Sequence, residues 1–458
     1  MKTHSDLGKD PIFSLVLHLA VPAMIANFVN VLYNIVDRMF IGNIPGVGSL
    51  ALAGAGICGP VVTLLTSFGT LIGLGGSILF SMRRGEGNDK EAKVILSNSF
   101  LMLCVVSAVL TVLFLLFKNR LLVLFGASSE TFPYANTYMT IYTLGTFFAL
   151  MAIGLNYFIT CQGFAAVGMF TVLIGAVSNI ILDPVFIFVF RMGVAGAAIA
   201  TVLSQLFSCL FALCFLFGKS VPIRISFGSY RPALMKRIVS LGFSPFMILA
   251  TDSVITIILN ASLQHYGGPE QGDLLIAAST IIQSWLLIIT STMLGISSGT
   301  QAILSYNYGA ANSLRIKKAE RTILSLCLIF TSIMFVLSRI FPAPFAGIFT
   351  REPDTVSMAV RGIHTVTLAI IPLSLQYCFV DGFTAIGRTK TALALSMLRK
   401  GTYVLSVLFL PLFFGAANAF YAEPICDGLG AAVSTITFLL VFQKHLDRRT
   451  APTDIMVS

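Results

Sequence analysis

Apolar residues in this chain come in long unbroken runs, not in the short alternations of a soluble strand or the one-sided stripes of a surface helix. Twelve runs stand out, at about 13–41, 50–80, 93–117, 134–160, 169–190, 193–218, 238–264, 274–304, 320–342, 360–386, 391–414 and 427–443. A helix needs roughly 20 apolar residues to cross the hydrocarbon core of a bilayer. No water is available there to satisfy backbone groups, so each run is predicted to be a helix. Several runs are longer than 25 residues, which predicts tilt or an ordered turn at one end.

The longest connection inside the chain is 219–237, and it divides the helices six and six. This gives an amino-terminal lobe at 1–218, a linker at 219–237, a carboxy-terminal lobe at 238–446 and a tail at 447–458. The halves echo one another. LAVPAMI (19–25) recurs as LGFSPFMI (241–248), and Ser81, Gly85 and Asn88 recur at the same spacing as Ser305, Gly309 and Asn312. QGFAAVG (162–168) recurs as DGFTAIG (381–387), and GAAIAT (196–201) as GAAVST (430–435). Four matches in one order predict an internal repeat. An even number of helices per half gives both halves the same orientation, related by an axis along the membrane normal.

Composition and charge sharpen this picture. At 56% hydrophobic, 10% charged and a mean hydropathy of +0.91, the chain is not a soluble globular protein. With the amino terminus inside, twenty Lys and Arg fall in inner segments: Lys2 and Lys9, the 83–93 loop, the linker, the 315–321 loop, Arg388, Lys390, Lys444, Arg448 and Arg449. The outer loops would hold only Lys118, Arg120, Arg191 and Arg351. The positive-inside rule therefore places both termini in the cytoplasm. It also accounts for the net charge of +10 without a nucleic-acid partner. The first apolar run reaches Asp37 without a small-residue cleavage site, so no removable signal peptide is expected. Most of the eight cysteines lie inside apolar runs and read as packing residues.

The chemistry is carried by the few polar residues inside the runs. Asp183 sits in a greasy stretch, where a carboxylate costs about 2.5–3.5 kcal/mol on insertion scales. Asn179 is one turn earlier on the same face, and Pro184 follows, leaving the carbonyl of Ile180 without its helical partner. Carboxylate, amide and free carbonyl suit a proton or a hard cation such as Na⁺; a polar cluster that only locks helix packing is the plainer alternative. On the first run Asn27, Asn30, Asn34 and Asp37 share one helical face, with Tyr33 beside it. Such a stripe must face protein or water, so it is placed toward a central cavity near Asp183. Thr201 and Gln205 form another polar pair one turn apart, and Tyr138, Tyr142 and Asn156 face the same way.

If Asp37 and Asp183 share a dry pocket they cannot both ionise cheaply and should titrate as a coupled pair; the alternative for Asp37 is an ion pair with Arg38. In the second half Asp252 has Thr256 and Asn260 on its face, and Asp381 suits loop capping or transport. Arg399 and Lys400 either neutralise Asp252 or Asp381 or snorkel to the surface. Gln283 and Trp285 are candidates for substrate contact. The G-x-G-x-x-G match at 54–59 and the G-x-S-x-G match at 295–299 lie in predicted membrane helices without the strand that either motif requires.

YNIVDRMFIG (33–42), ALAGAG (51–56), NIILDPVFIF (179–188) and GVAGAAIATVLSQ (193–205) resemble the multidrug and toxic compound extrusion (MATE) transporters, closest to the bacterial branch with DinF and MepA types. The resemblance covers nearly the whole chain. It implies an all-α polytopic fold of twelve transmembrane helices, in two six-helix lobes forming a V around a cavity, and a cation-coupled antiporter working by alternating access in the cell membrane. It implies a coupling site at Asp37, Asn179, Asp183 and Thr201, which would be the metal site if the ion is Na⁺. It implies a substrate cavity including Asn30, Tyr138 and Asn156, to which Tyr33, Asn34, Asp252 and Gln283 are added from the polar pattern. Another branch uses acids of the second lobe: Asp252 falls near its seventh-helix acid, but Asp381 comes about six residues late for its tenth-helix one. The expectation is a multidrug exporter, not an enzyme, with no cofactor beyond H⁺ or Na⁺. Its partners would be amphipathic or cationic drugs and membrane lipids, with no nucleic acid, and it would work as a monomer. The rival readings are a lipid-linked oligosaccharide flippase of the same superfamily and a membrane enzyme or receptor.

Overall fold

The computed structural model describes residues 6–45, 47–124, 127, 131–349, 353–442 and 444–446. The expected tail at 447–458, Lys2, Arg351 and the side chain of Asn260 lie outside the described residues. The fold is all-α, and no strand occurs among the described residues. The helices are α1 (Ile12–Gly42), α2 (Gly48–Gly85), α3 (Asp89–Leu124), α4 (Phe132–Leu144), α5 (Thr146–Cys161), α6 (Ala165–Pro184), α7 (Gly193–Phe217) and α8 (Pro232–Ser297). They are followed by α9 (Gln301–Gly309), α10 (Ser313–Ile340), α11 (Pro342–Phe349), α12 (Pro353–Val366), α13 (Ile370–Ala385), α14 (Thr389–Phe414) and α15 (Ala422–Thr437). Among the described residues ten stretches are long and apolar enough to cross a membrane, and twelve if the bent pairs α4–α5 and α12–α13 each count as one span. The protein is a multi-pass membrane protein.

The breaks in the spans have local causes. Helix α8 is interrupted at Gly268, whose φ of 65° suits glycine and few other residues. The 54° bend between α4 and α5 sits at Gly145, where a Cβ would fall 2.5 Å from Cγ2 of Val202 on α7. The 54° bend between α12 and α13 lies just before Pro372, which has no N–H to reach back across it. After Pro184, helix α6 widens into a π turn over Val185–Val189, closed by Phe190 N–H donating to Val185 O at 2.9 Å.

The repeat is visible in these local devices. Asn88 and Asn312 each cap the next helix. Asn88 Oδ1 accepts from Glu91 N at 3.1 Å and Asn312 Oδ1 from Arg315 N at 3.1 Å, which offsets the orphan donors of a first turn.

The chain folds as two compact units. One takes in Val21–Ala250; the other takes in Pro11–Ala20 and the chain from Thr251 on. The opening of α8 thus folds with the first unit and the opening of α1 with the second. Both changes of unit fall in or just after the repeated LAVPAMI and LGFSPFMI segments. In the first unit α2 is the central helix, packed against α3, α4 and α5. Its approach to α5 is close because Gly73 meets Gly154; a Cβ on Gly73 would lie 2.6 Å from the Gly154 Cα. The linker is strapped to this unit. Ser97 Oγ donates to Ser226 O, Asn98 Nδ2 to Ser229 O at 3.2 Å, and Ile223 N to Gln162 Oε1 at 3.0 Å. Arg231 N donates to Asn98 Oδ1 at 2.9 Å. The strap accounts for the buried side chains of Ser97 and Asn98 and for the Gln162 oxygen, while Gln162 Nε2 stays without a partner.

In the second unit α13, α14 and α15 pack together with α10 against α13. Arg399 on α14 bonds Asp427 Oδ1 at 2.7 Å and Glu423 Oε1 at 3.1 Å on α15, and its guanidinium lies 5.9 Å from the Tyr377 ring. Lys400 takes Asp252 at 2.5 Å and Thr251 Oγ1 at 2.9 Å. Of the partners the sequence proposed for these cations, Lys400 has Asp252, while Arg399 has two acids that the sequence reading passed over. Trp285 is buried and donates to Ser338 Oγ at 2.8 Å, so it joins α8 to α10.

Two expectations follow for stability. Gly73→Val should lower the unfolding temperature of the detergent-solubilised protein by the equivalent of about 1–3 kcal/mol of overpacking. Arg399→Met, which leaves the buried Asp427 and the half-buried Glu423 unpaired, should cost about 3–5 kcal/mol. Asp427→Asn, which leaves Arg399 its Glu423 partner, should cost less. Thermal unfolding followed by size-exclusion chromatography ranks the variants.

Candidate functional site

The first unit gathers most of the polar residues picked from the sequence into one place. Asn179 and Asp183 lie one turn apart on α6 and are both fully buried. Asn179 Nδ2 donates to Asp183 Oδ1 at 3.1 Å and lies 3.5 Å from Thr201 Oγ1 on α7. The Thr201 hydroxyl is held by its own helix, donating to Ala197 O at 3.0 Å. Asp37 on α1 brings its carboxyl against that of Asp183. It makes no ion pair with Arg38, so the salt-bridge alternative is not the arrangement found.

Aromatic residues enclose this cluster. Tyr33 lies beside Asp37, Asp183 and Tyr142, and Tyr138 beside Asp37. The Tyr138 and Tyr142 rings run parallel, 8° between planes and 6.2 Å between centroids. Gln205 Nε2 donates to the Tyr142 hydroxyl at 3.3 Å. The hydrogen-bond account is left open at three oxygens: Asp37 Oδ1, Asn179 Oδ1 and Asp183 Oδ2 are buried without a partner. Gln205 Oε1 is in the same position. A buried acceptor left bare costs about 1–3 kcal/mol. Several on two facing carboxyls and an amide make a place where a proton or a hard cation is favourable. Helix α6 passes from Pro184 directly into its π turn here, so its backbone is irregular beside the acid.

Other predicted residues are placed elsewhere. Asn30 and Asn34 are exposed on α1, and Asn34 Nδ2 is spent on the Asn30 carbonyl at 2.6 Å. Asn156 is committed to helix packing: its Nδ2 donates to Gly168 O at 2.8 Å, about three turns of α6 from Asn179. Asp252 and Gln283 belong to the second unit, where Asp252 is the Lys400 partner and Gln283 is half-buried. Sequence reasoning missed the half-buried Glu423 and the buried Asp427, one turn apart with Arg399 facing them. The signal was present in their spacing of four, but the last apolar run was begun at 427 and cut the pair in two.

Comparison with known proteins bears on the whole chain. The MatE family model matches residues 22–185 and 246–412. Multidrug export protein MepA of Staphylococcus aureus (strain MSSA476) is 25% identical over 454 residues, 98% of this chain and 97% of that protein. The MepA of Staphylococcus haemolyticus (strain JCSC1435) is 25% identical over 423 residues, 91% of each. A solved outward-facing conformation of a multidrug resistance MATE family transporter of the MOP superfamily superposes with a TM-score of 0.88 at 20% identity, covering 99% of both chains. With a family model spanning most of its length and a fold shared from end to end, this chain belongs to the MatE family of transporters.

Proposed function

We propose that the protein is a secondary active multidrug exporter of the cell membrane, moving amphipathic or cationic compounds outward in exchange for H⁺ or Na⁺. The observation that carries the coupling reading is the set of bare buried oxygens on Asp37, Asn179 and Asp183. A bound cation neutralises two facing carboxyls in a low-dielectric site, where the gain is far larger than in water. Asn179 orients Asp183 through its amide, and Thr201 adds a hydroxyl from the neighbouring helix. Loading the site changes the charge beside the Pro184 turn. The π turn of Val185–Val189 has the spare residue that lets α6 change register there. The ion drives transport only by binding one conformation better than the other.

Tyr33, Tyr138 and Tyr142 give the site an aromatic wall suited to flat or cationic drugs through ring contacts. The relatives named multidrug export proteins support the substrate class. The basic inner loops support a cytoplasmic position for both termini, and each unit closes its own core, in keeping with a working monomer. A flippase for lipid-linked sugars would need free cations for phosphate. Arg399 and Lys400 are both paired with acids, which disfavours that reading.

In proteoliposomes loaded with a fluorescent cationic drug, either a pH gradient or a Na⁺ gradient alone should drive export. Asp183→Asn, whose amide can neither take up a proton nor balance a cation, should lower gradient-driven export at least about tenfold, the value of a coupling of about 1.4 kcal/mol. Drug binding measured without a gradient should change much less. Intact coupled exchange in Asp183→Asn would sink the assignment. Asn179→Ala should lower the coupling less than Asp183→Asn, since it removes the orienting amide and keeps the acid.

A further inference from the structure

The linker between the repeats carries positive charge that no acid nearby answers. Between Asp183 and Asp252 the chain has no Asp or Glu, yet Lys219, Arg224, Arg231, Lys236 and Arg237 all fall there. All five are exposed, and none forms an ion pair among the described residues. The turn between α2 and α3 behaves differently. Arg83 is taken by Glu86 at 2.6 Å and by Glu91 at 3.4 Å, and Arg84 by Asp89 at 3.7 Å. Both features sit at the same end of the first unit, because α3 begins at Asp89 and its Ser97 and Asn98 hold the strap.

The strap is laid out to present its charge. From Val221 to Ile225 the residues alternate as in a strand. Val221, Ile223 and Ile225 are buried, while Pro222 and Arg224 are exposed. The backbone bonds of Ile223, Ser226, Ser229 and Arg231 hold it in that orientation. Its depth is set by an aromatic trio. The span of α7 ends at Phe217, and Phe207, Leu210 and Phe217 are exposed apolar residues on that helix. The Phe227 ring lies 6.1 Å from that of Phe217 and 6.0 Å from that of Phe100 on α3, so the strap doubles back onto the end of the span. Phe227 is nonetheless 71% exposed, and Tyr230 43%. Aromatic side chains so exposed at the end of a span belong at the membrane–water boundary.

We propose that this face of the linker is a docking surface for anionic phospholipids. Phe227 and Tyr230 enter the edge of the acyl layer, and the five cations take the negative headgroups around them. The match is one of charge and depth together. An acidic soluble protein would answer the charge but not the two aromatics beside the apolar ends of α3 and α7. A lipid offers an anion and an apolar chain in the order in which the strap presents their partners. Each cation near a negative headgroup layer favours it by about fivefold, so several together make a clear preference. Arg231 directly precedes α8, and Lys236 and Arg237 lie in its second turn, so the same lipids hold the opening of α8 at the membrane surface. The cations lie beyond the end of the α7 span, so the surface holds lipid without carrying it across.

The test uses the full-length protein carrying Phe227→Trp, in nanodiscs of equal parts phosphatidylglycerol and phosphatidylcholine. In one preparation only the phosphatidylglycerol is brominated near the glycerol end of its chains; in the other, only the phosphatidylcholine. Quenching of the introduced indole is taken as the difference from the protein that has Trp285 alone. The local enrichment of phosphatidylglycerol read from the pair should be at least about fivefold. It should fall as NaCl is raised from about 0.05 M to about 0.5 M. Lys219→Gln, Arg224→Gln and Arg231→Gln together should bring it below about twofold, while Arg224→Lys with Arg231→Lys keeps it. Lys317→Gln with Lys318→Gln, in a different loop, should leave it unchanged. Equal quenching by the two lipids, or none by either, would overturn the proposal. So would an enrichment that persists in the triple Gln variant running as a monodisperse peak, or an equal loss in the Lys317 and Lys318 control. A dimer in detergent that the triple variant abolishes would give the face to a second copy and overturn it as well. No drug or ion gradient enters the measurement, so its outcome is independent of the export reading.

Discussion

A polar atom in the hydrocarbon layer must find its partner inside the protein, because lipid offers none, and the structure answers this requirement residue by residue. Backbone groups are closed within helices, and Ser and Thr hydroxyls are turned back onto the carbonyls of their own helices, as at Thr201, Ser204 and Thr331. Cations within the spans are matched with acids, as Arg399 is with Glu423 and Asp427 and the buried Lys400 is with Asp252. Against that strictness the exceptions are informative. Among the buried side-chain atoms left without a partner, those on Asp37 and Asp183 in one unit and on Glu320 and Asp381 in the other belong to acids. Ionisable residues inside membrane spans are rare and mark functional places by default.

Much of this was legible in the sequence because membrane helices announce themselves by composition. The predicted starts all fall inside or within a few residues of the observed spans, and the last run began latest within its span because the charged turn of Glu423 and Asp427 broke the hydropathy. The buried cluster on α6 was readable because Asn179 and Asp183 have helical spacing and a proline follows. What escaped depends on contacts far apart in the chain. Hydropathy sees no difference between a straight span and one bent at Gly145, because the bend is set by Val202 on another helix. Asn156 looked like a cavity residue by its polarity, but the carbonyl of Gly168 had already claimed it. Glu320 stood at the edge of an apolar run, where acids are ordinary, and only the fold shows that it is buried over Gly382.

The two halves have kept their caps and diverged in their chemistry. Asn88 and Asn312 do the same work at the same point of each repeat, since a helix start needs its donors satisfied whatever the protein transports. The buried polar residues are not shared in this way. Asn179 and Asp183 have no ionisable echo in the second half at the matching distance from GAAVST, and Glu320 and Asp381 have none in the first. Duplication supplied a scaffold with two equivalent interiors, and each has accumulated its own set of oxygens.

The strap that runs from Ile223 to Arg231 gives the connection between the repeats a different character from a tether. Its backbone pairs with the oxygens of Gln162 and Asn98, and the helix that follows it continues to belong to the first unit as far as Ala250. If the gene were divided in the loop after α7, the amino-terminal fragment would be made with those side chains open and the opening of α8 on a separate polypeptide. A fragment ending there would therefore need another segment to cover Asn98 and the Gln162 oxygen.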